Sequence, residues 1–329
     1  MAEPLLRLEN VSKRFSKQVD LAGKIARRMG AKISEQTVHA VDDVSLDIHE
    51  GEVVGLVGES GCGKSTLGRV AAGIHAPSQG HIHWRGKKLE GGGSSKDRMR
   101  VQMVFQDPMS SLNPRHRIDR VIGEAPRHHG LVKRNEVARY VSQLLDKVGL
   151  DPSYRGRFPH QFSGGQRQRI AIARALAVKP ELIVCDESVS ALDVSVQAQV
   201  LNLFMDLRRE LGLAYLFISH DLGVVEHISD RIAIMYLGRI VEIGETTDFY
   251  KAPNHPYSQA LLAEVPRIGA GARTYAPIKG EIPSPLAPPT GCHFHPRCPH
   301  ATARCRTEAP ELRKIAPARW SACHLNDGN

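Results

Sequence analysis

The sequence predicts an α/β fold: a doubly wound core sheet of mostly parallel strands, interrupted by a helical subdomain and followed by a small irregular extension that carries cysteines. Three observations point to it. The runs Val53-Val54-Gly55-Leu56-Val57, Leu182-Ile183-Val184-Cys185 and Ala214-Tyr215-Leu216-Phe217-Ile218 are almost wholly apolar, as strands buried on both faces of a parallel sheet are. Helical patterns alternate with them, the longest from Val194 to Leu211, where Val196, Val200, Leu203, Phe204 and Leu207 make one stripe. After Pro266 the composition shifts: Pro277, Pro283, Pro285, Pro288, Pro289, Pro296 and Pro299 argue against regular secondary structure, and too few apolar residues remain to bury a core alone.

In chain order, residues 4–15 and 38–57 read as strands of the core, and a helix starts near Lys64 and runs to about Ala72. Gly91-Gly92-Gly93-Ser94-Ser95 reads as a flexible turn before a strand-like Gln102-Met103-Val104-Phe105 that ends at Gln106. Residues 107–162 turn polar and then helical, with Val137, Val141, Leu144, Leu145 and Val148 at helix spacing; this stretch is the helical subdomain. Strand and helix alternate again over 163–265. Two regions are therefore expected, 1–265 and an appended 266–329.

The first apolar strand runs directly into Gly58-Glu59-Ser60-Gly61-Cys62-Gly63-Lys64-Ser65-Thr66. Gly58, Gly61 and Gly63 permit backbone angles and close approaches that a Cβ would block. The turn can then aim its N–H groups at phosphate oxygens, and the following helix end adds partial positive charge at the same place. Lys64 suits the β and γ phosphates of a nucleotide, and the Ser65 hydroxyl suits Mg2+. Asp186 closes the Leu182 run, at the carboxyl end of a parallel strand and so over the ligand crevice. There it is the acid to hold Mg2+, directly or through water. Glu187 follows at once and is the candidate to polarise an attacking water.

A second anion-binding feature lies downstream. Ser163 is a good helix N-cap, and Gly164 and Gly165 leave the first N–H groups of the helix through Ile170 to Ala177 uncovered, with Gln166 beside them. One nucleotide already has the Lys64 loop around its phosphates, so a second such helix end points to a composite site. Spacing does not say whether this chain or another completes it. His220, in Ser219-His220-Asp221, follows the third apolar run directly.

The 329 residues accommodate one large domain and a smaller one. No apolar run approaches the roughly 18 residues of a transmembrane helix, and Met1-Ala2-Glu3-Pro4-Leu5-Leu6-Arg7 lacks a secretory pattern. The expected setting is the cytosol, with any membrane role exercised through a partner. The net charge of +9 is partly local: Lys13, Arg14, Lys17, Lys24, Arg27, Arg28 and Lys32 face only Asp20 in their stretch. That segment is either a solvated basic insertion or an amphipathic helix near lipid headgroups or a membrane subunit.

Of six cysteines, Cys185 reads as a small buried hydrophobe. Cys62, in the glycine-rich turn, is expected to be modifiable because nearby positive charge favours thiolate. The other four, Cys292, Cys298, Cys305 and Cys323, fall in the last 38 residues with C-x5-C-x6-C-x17-C spacing. Four thiolates suit a tetrahedral Zn2+ or an iron–sulfur cluster, with His293, His295, His300 and His324 as spare zinc ligands. The spacing lacks the tight pair of common zinc modules, and free thiols are the other reading.

Taken together, Gly58–Thr66, Asp186-Glu187, Phe162-Ser163-Gly164-Gly165-Gln166-Arg167-Gln168-Arg169 and His220 resemble the nucleotide-binding subunit of ABC transporters. The resemblance implies a P-loop ABC ATPase core, a RecA-like sheet plus antiparallel strands, that binds and hydrolyses ATP with Mg2+. It implies that Ser163-Gly164-Gly165-Gln166 is the signature motif facing ATP on a partner subunit, that Gln106 contacts Mg2+ and water, that Ser190-Ala191-Leu192-Asp193 is the D-loop and that His220 contacts the γ-phosphate. Phe15 is the matching candidate to stack on adenine. One departure is Ser188, where the family has proline; the loop is expected to be looser there. A P-loop kinase needs neither the signature nor His220, and the soluble ABC ATPases of ribosomes or DNA carry paired cassettes or long coiled coils that are missing, so no nucleic acid partner is expected.

His255-Pro256-Tyr257-Ser258-Gln259-Ala260-Leu261-Leu262, Gly280-Glu281-Ile282-Pro283-Ser284-Pro285-Leu286 and Pro288-Pro289-Thr290-Gly291-Cys292-His293-Phe294-His295-Pro296-Arg297-Cys298 narrow the resemblance to the oligopeptide/dipeptide permease branch, and within it to the F-type second ATPase of dipeptide permeases, over essentially the whole chain. That implies import of di- or oligopeptides, or of nickel, glutathione, opines or sugars in related systems. It implies a second, different ATPase subunit, two transmembrane permease subunits, an extracytoplasmic solute-binding protein, and a peripheral place on the cytoplasmic side of the inner membrane. It also implies a [4Fe-4S] cluster on Cys292, Cys298, Cys305 and Cys323.

Overall fold

The computed structural model describes residues 3–16, 36–90, 94–265, 278 and 280–327. The strands are β1 (Leu6–Ser16), β2 (Thr37–Ile48), β3 (Val53–Val57), β4 (Gln79–Trp84), β5 (Lys87–Lys88), β6 (Val101–Val104), β7 (Leu182–Asp186), β8 (Ala214–Ser219), β9 (Arg231–Tyr236), β10 (Arg239–Glu245), β11 (Arg313–Ala316) and β12 (Arg319–Ser321). They form two sheets, an antiparallel one in the order β2-β1-β4-β5 and a larger one in the order β11-β12-β10-β9-β3-β8-β7-β6. The centre of the larger sheet, from β9 to β6, is parallel.

The apolar runs are the central strands, and all five residues of β3 and of β7 are buried. Their side chains alternate between two cores, as the period of a strand requires. Val53, Val57, Ile183, Cys185, Tyr215 and Phe217 pack with the helical subdomain and the helices Gly164–Leu176 and Val194–Leu211. Val54, Leu56, Leu182, Val184, Leu216 and Ile218 pack with the helix Lys64–Ala71 and the antiparallel sheet. Phosphate loop and acid pair thus emerge side by side at the carboxyl ends of parallel strands, where ligand crevices form.

The structure departs from the sequence reading at several points. The segment Gly91–Gly93 lies outside the described residues, as does Lys17–Lys32 of the basic stretch. Just after the former, Ser94 and Asp97 form a reciprocal capping box that starts a helix at Ser95–Arg100, and β6 then ends at Val104 rather than at Gln106. The subdomain holds a helix at Ile118–His128 besides the expected Val137–Lys147. Val196 is only half-buried, and Leu201 takes its place in the stripe of its helix. Beyond Pro266, the expectation of no regular structure is corrected. β11 and β12 form a hairpin over Pro317 and Ala318, the latter at φ 53°, and β12 pairs with β10 through Glu242–Ser321 and Ile243–Trp320. The prolines sit outside these strands, and the open edge of β10 supplies the partner that the local sequence does not reveal. Among the described residues, no helix is long and apolar enough to cross a membrane.

Candidate functional site

The turn after β3 is held open by its glycines. Gly63 has φ +109°, and a Cβ there would stand 2.0 Å from the carbonyl oxygen of Ala40, so only glycine lets β2 approach the start of the helix. That helix has no side-chain N-cap, which leaves its first N–H groups for an anion. Lys64 is 4% exposed. Its Nζ donates to the carbonyls of Gly58 (2.7 Å) and Glu59 (3.0 Å), spanning the mouth of the loop. Ser60 and Gly61 form the exposed rim, with Ser65 and Thr66 half-buried on the first turn.

Ser65 Oγ donates to Asp186 Oδ1 at 2.7 Å, so the two residues expected at Mg2+ are in contact. Burial pushes the Asp186 carboxyl above its ordinary range, opposed by the Ser65 bond and by Arg69 and Lys64. Next to it, Glu187 adopts a left-handed backbone, φ 48°, with its N–H bonded to the Ile218 carbonyl. Such a conformation costs a non-glycine residue about 1 kcal/mol or more and persists where the surroundings over-determine it. It turns the carboxylate toward two other expected residues. Gln106 Nε2 donates to Glu187 Oε2 at 3.0 Å, and His220 Nδ1 lies 3.5 Å from the same oxygen. Ser188, in the position of the missing proline, is buried.

Ser163 caps its helix through a box: Ser163 Oγ accepts from Gln166 N–H, and Gln166 Oε1 accepts from Ser163 N–H. Arg167 N–H bonds the Ser163 carbonyl, so the N–H groups of Gly164 and Gly165 are the ones left at this exposed helix end. A Cβ on Gly165 would meet Val196 Cγ1 at 2.4 Å, which is why the helix can lie against the start of Val194–Leu211. Asp193 is the exposed N-cap residue of that second helix. The ring of Phe15, on β1 and 39% exposed, meets His75, just beyond the Lys64 helix, edge-on at 5.5 Å and lies under the Lys13 ammonium.

Cys62 departs from expectation. It is 4% exposed, and burial pushes its thiol up more strongly than Lys64 pulls it down, so it is neither accessible nor a thiolate. Sequence reasoning also missed what anchors the loop. Glu59 N–H donates to Tyr257 Oη at 2.9 Å, and the Glu59 carboxylate receives both terminal nitrogens of Arg297 at 2.7 and 2.9 Å. These partners lie 198 and 238 residues away, and no local pattern announces them.

Cys292, Cys298, Cys305 and Cys323 line one cavity of about 140 Å³, and none forms a disulfide. Burial pushes Cys292 up to about 11, and Cys298 and Cys323 upward too, which favours the protonated form of these three thiols. Three of the four spare histidines bond elsewhere, His293 Nδ1 to the Leu237 carbonyl, His295 Nδ1 to the Cys292 carbonyl, and His324 to Asp327 and the Glu308 carbonyl, while His300 lines the cavity with the cysteines. Among the described residues, no three His, Cys, Asp or Glu converge on one point as a ready ion site, as four sulfurs at about 2.3 Å from one Zn2+ would have to. The four cysteines line one cavity but, as placed, do not form a group that holds a metal ion of either kind.

A family model described as "ABC transporter" matches residues 41–190, and one described as "Oligopeptide/dipeptide transporter, C-terminal region" matches residues 241–305. The oligopeptide transport ATP-binding protein AppF of Bacillus subtilis is 48% identical to this chain, covering 98% of each. The dipeptide transport ATP-binding protein DppF of Haemophilus influenzae is 47% identical over 90% of this chain and 92% of its own. Among solved structures, a dimeric post-hydrolysis state of the ATP-binding cassette MJ0796 bound to ADP and Pi matches with a TM-score of 0.61 and 27% identity, over 73% of this chain and 98% of that one. CbiO1 of Clostridium perfringens, part of the transporter complex cbiONQ, matches with a TM-score of 0.61 and 25% identity over 76% of this chain and 92% of its own. The chain belongs to the family of oligopeptide/dipeptide ABC transporter ATP-binding proteins.

Proposed function

We propose that this chain is the ATP-hydrolysing subunit of an importer of di- or oligopeptides, with residues 1–265 as its nucleotide-binding unit, 107–162 as the helical subdomain and 266–329 as a C-terminal extension. The observation that carries the reading is the convergence of Ser65, Asp186, Glu187, Gln106 and His220 at the mouth of the Lys64 loop. The loop amides and Lys64 bind the β and γ phosphates, and Ser65 and Asp186 hold Mg2+. Glu187 takes the proton of the attacking water, Gln106 orients that water, and His220 steadies the γ-phosphate. Phe15 packs on adenine. The Ser163 cap, with the Gly164 and Gly165 amides, grips the nucleotide held by a second ATP-binding subunit. Asp193 lies at the seam between the two subunits.

ATP binding closes the pair of ATP-binding subunits, hydrolysis reopens it, and the Gln106 region and the subdomain pass the motion to two transmembrane permease subunits on the cytoplasmic face of the inner membrane. An extracytoplasmic binding protein delivers the peptide. A [4Fe-4S] cluster, when bound by Cys292, Cys298, Cys305 and Cys323, supplies a rigid cross-link of the extension. The reading is tested by ATP hydrolysis and radiolabelled dipeptide uptake in vesicles holding the complete transporter. Peptide-stimulated hydrolysis and uptake that unlabelled peptides suppress are expected; suppression by nickel or a sugar instead of peptides overturns the cargo assignment.

A further inference from the structure

Every polar group of Glu59 is tied down. Its carbonyl accepts from Lys64 Nζ, its N–H donates to Tyr257 Oη, and its carboxylate takes the two-pronged bond from Arg297. The Arg297 side chain is 4% exposed and that of Glu59 20%, so the pair is shielded from solvent, where a planar fork fixes orientation as well as charge. Tyr257 is fully buried and packs at a tilt against Tyr236 and Phe294, at ring separations of 4.7 and 5.4 Å. Tyr236 in turn lies under the Arg297 guanidinium. The helix carrying Tyr257 is fixed at its start by Glu242, which accepts from the N–H groups of Asn254 and His255 and from Arg319 of β12. Arg297 directly precedes Cys298, which lines the four-cysteine cavity.

We infer that the C-terminal region sets the nucleotide affinity of the phosphate loop, with Arg297 and Tyr257 as positioning residues that act through Glu59. This rests on the reading of Gly58–Thr66 as the ATP loop. The Glu59 carboxylate carries negative charge in a loop that must receive a polyphosphate, and Arg297 both neutralises it and turns it away. The same clamp places the Glu59 carbonyl, on which the Lys64 ammonium rests before it engages phosphate. Without Arg297, the unpaired carboxylate repels the incoming anion and the loop spends less time in its binding-competent form, which raises the apparent dissociation constant in proportion.

The test is a double-mutant cycle on the full-length chain, read as the dissociation constant for Mg-ATP with a fluorescent nucleotide and as kcat and KM in the assembled transporter. Arg297→Gln is expected to weaken ATP binding about tenfold, with kcat at saturating ATP nearly kept. Glu59→Gln removes the repelling charge, so Glu59→Gln/Arg297→Gln is expected to bind ATP like Glu59→Gln alone, rather than with the two effects multiplied. Arg297→Lys keeps the charge without the fork and is expected to fall between, about threefold weaker than the parent; it serves in place of Arg297→Gln if that variant does not fold. Unchanged affinity in the folded Arg297 variants, multiplicative effects in the cycle, or a fall in kcat at constant KM overturns the inference. Lys64→Ala is the control: if it leaves ATP affinity intact, the assignment of the loop itself fails, whereas loss of affinity there with an indifferent Arg297→Gln fails the clamp alone.

Discussion

Gln106 Nε2 donates to Glu187 Oε2 at 3.0 Å across 81 residues of sequence. The bond joins the loop after β6, the entrance to the helical subdomain, to the carboxylate beside Asp186. Gln106 also reaches Ser190 Oγ at 3.4 Å, at the start of the segment leading to Asp193. The loop that leads into the subdomain is thus in direct contact, through Gln106, with the carboxylate expected to handle the attacking water.

Replacing that carboxylate separates binding from chemistry. Glu187→Gln keeps the shape and the Gln106 and His220 neighbours but removes the proton acceptor. Nucleotide binding is expected to stay within about twofold of the parent and hydrolysis to fall about a hundredfold or more, the range for loss of a general base. Phosphate release by the assembled transporter, alongside nucleotide titration, measures both. Near-normal hydrolysis removes Glu187 from the catalytic role.

Arg319 anchors β12 on a buried acid. It donates to Glu242, which is 1% exposed, and to the Ala252 carbonyl. Arg319→Met leaves the Glu242 carboxylate with only its two backbone N–H partners, and about 3 kcal/mol of stability is expected to be lost, the scale for breaking a buried pair from one side. Urea unfolding of the folded chain reads the change. A loss below about 0.5 kcal/mol would mean that the β12 anchor resembles an exposed ion pair.

Protein purified without oxygen is expected to carry iron and sulfide with broad visible absorbance, and Cys298→Ser to lose both. The four cysteines line one cavity, and ligation by four cysteines is the pattern such a cluster uses. One equivalent of zinc with no iron would replace the cluster with a mononuclear site.

The phosphate loop and the acid pair could be placed in the fold from sequence because each is a local pattern. Gly58–Thr66 and Asp186-Glu187 are contiguous, and their positions after apolar strands fix their place in a parallel sheet. What escaped depends on partners far away in the chain. β11 and β12 exist because β10 offers an edge, and proline counting sees only the segment itself. Arg297 and Tyr257 meet Glu59 across more than half of the sequence. Cys62 was misread for a related reason: the Lys64 charge can be read from adjacency, but the burial that outweighs it cannot. The helix at Ser95–Arg100 is a different case, since the Ser94–Asp97 capping pair that starts it is a local signal.

The two helix ends are expected to serve one nucleotide between two subunits. The direct measurement is a structure of the complete transporter carrying Glu187→Gln, trapped with Mg-ATP. Ser163 Oγ and the Gly165 N–H of this chain are predicted to lie within about 3 Å of the γ-phosphate bound by the partner subunit, while Lys64 holds the other nucleotide. Nucleotide seated at Lys64 with the Ser163 end turned away from the partner's triphosphate would contradict it.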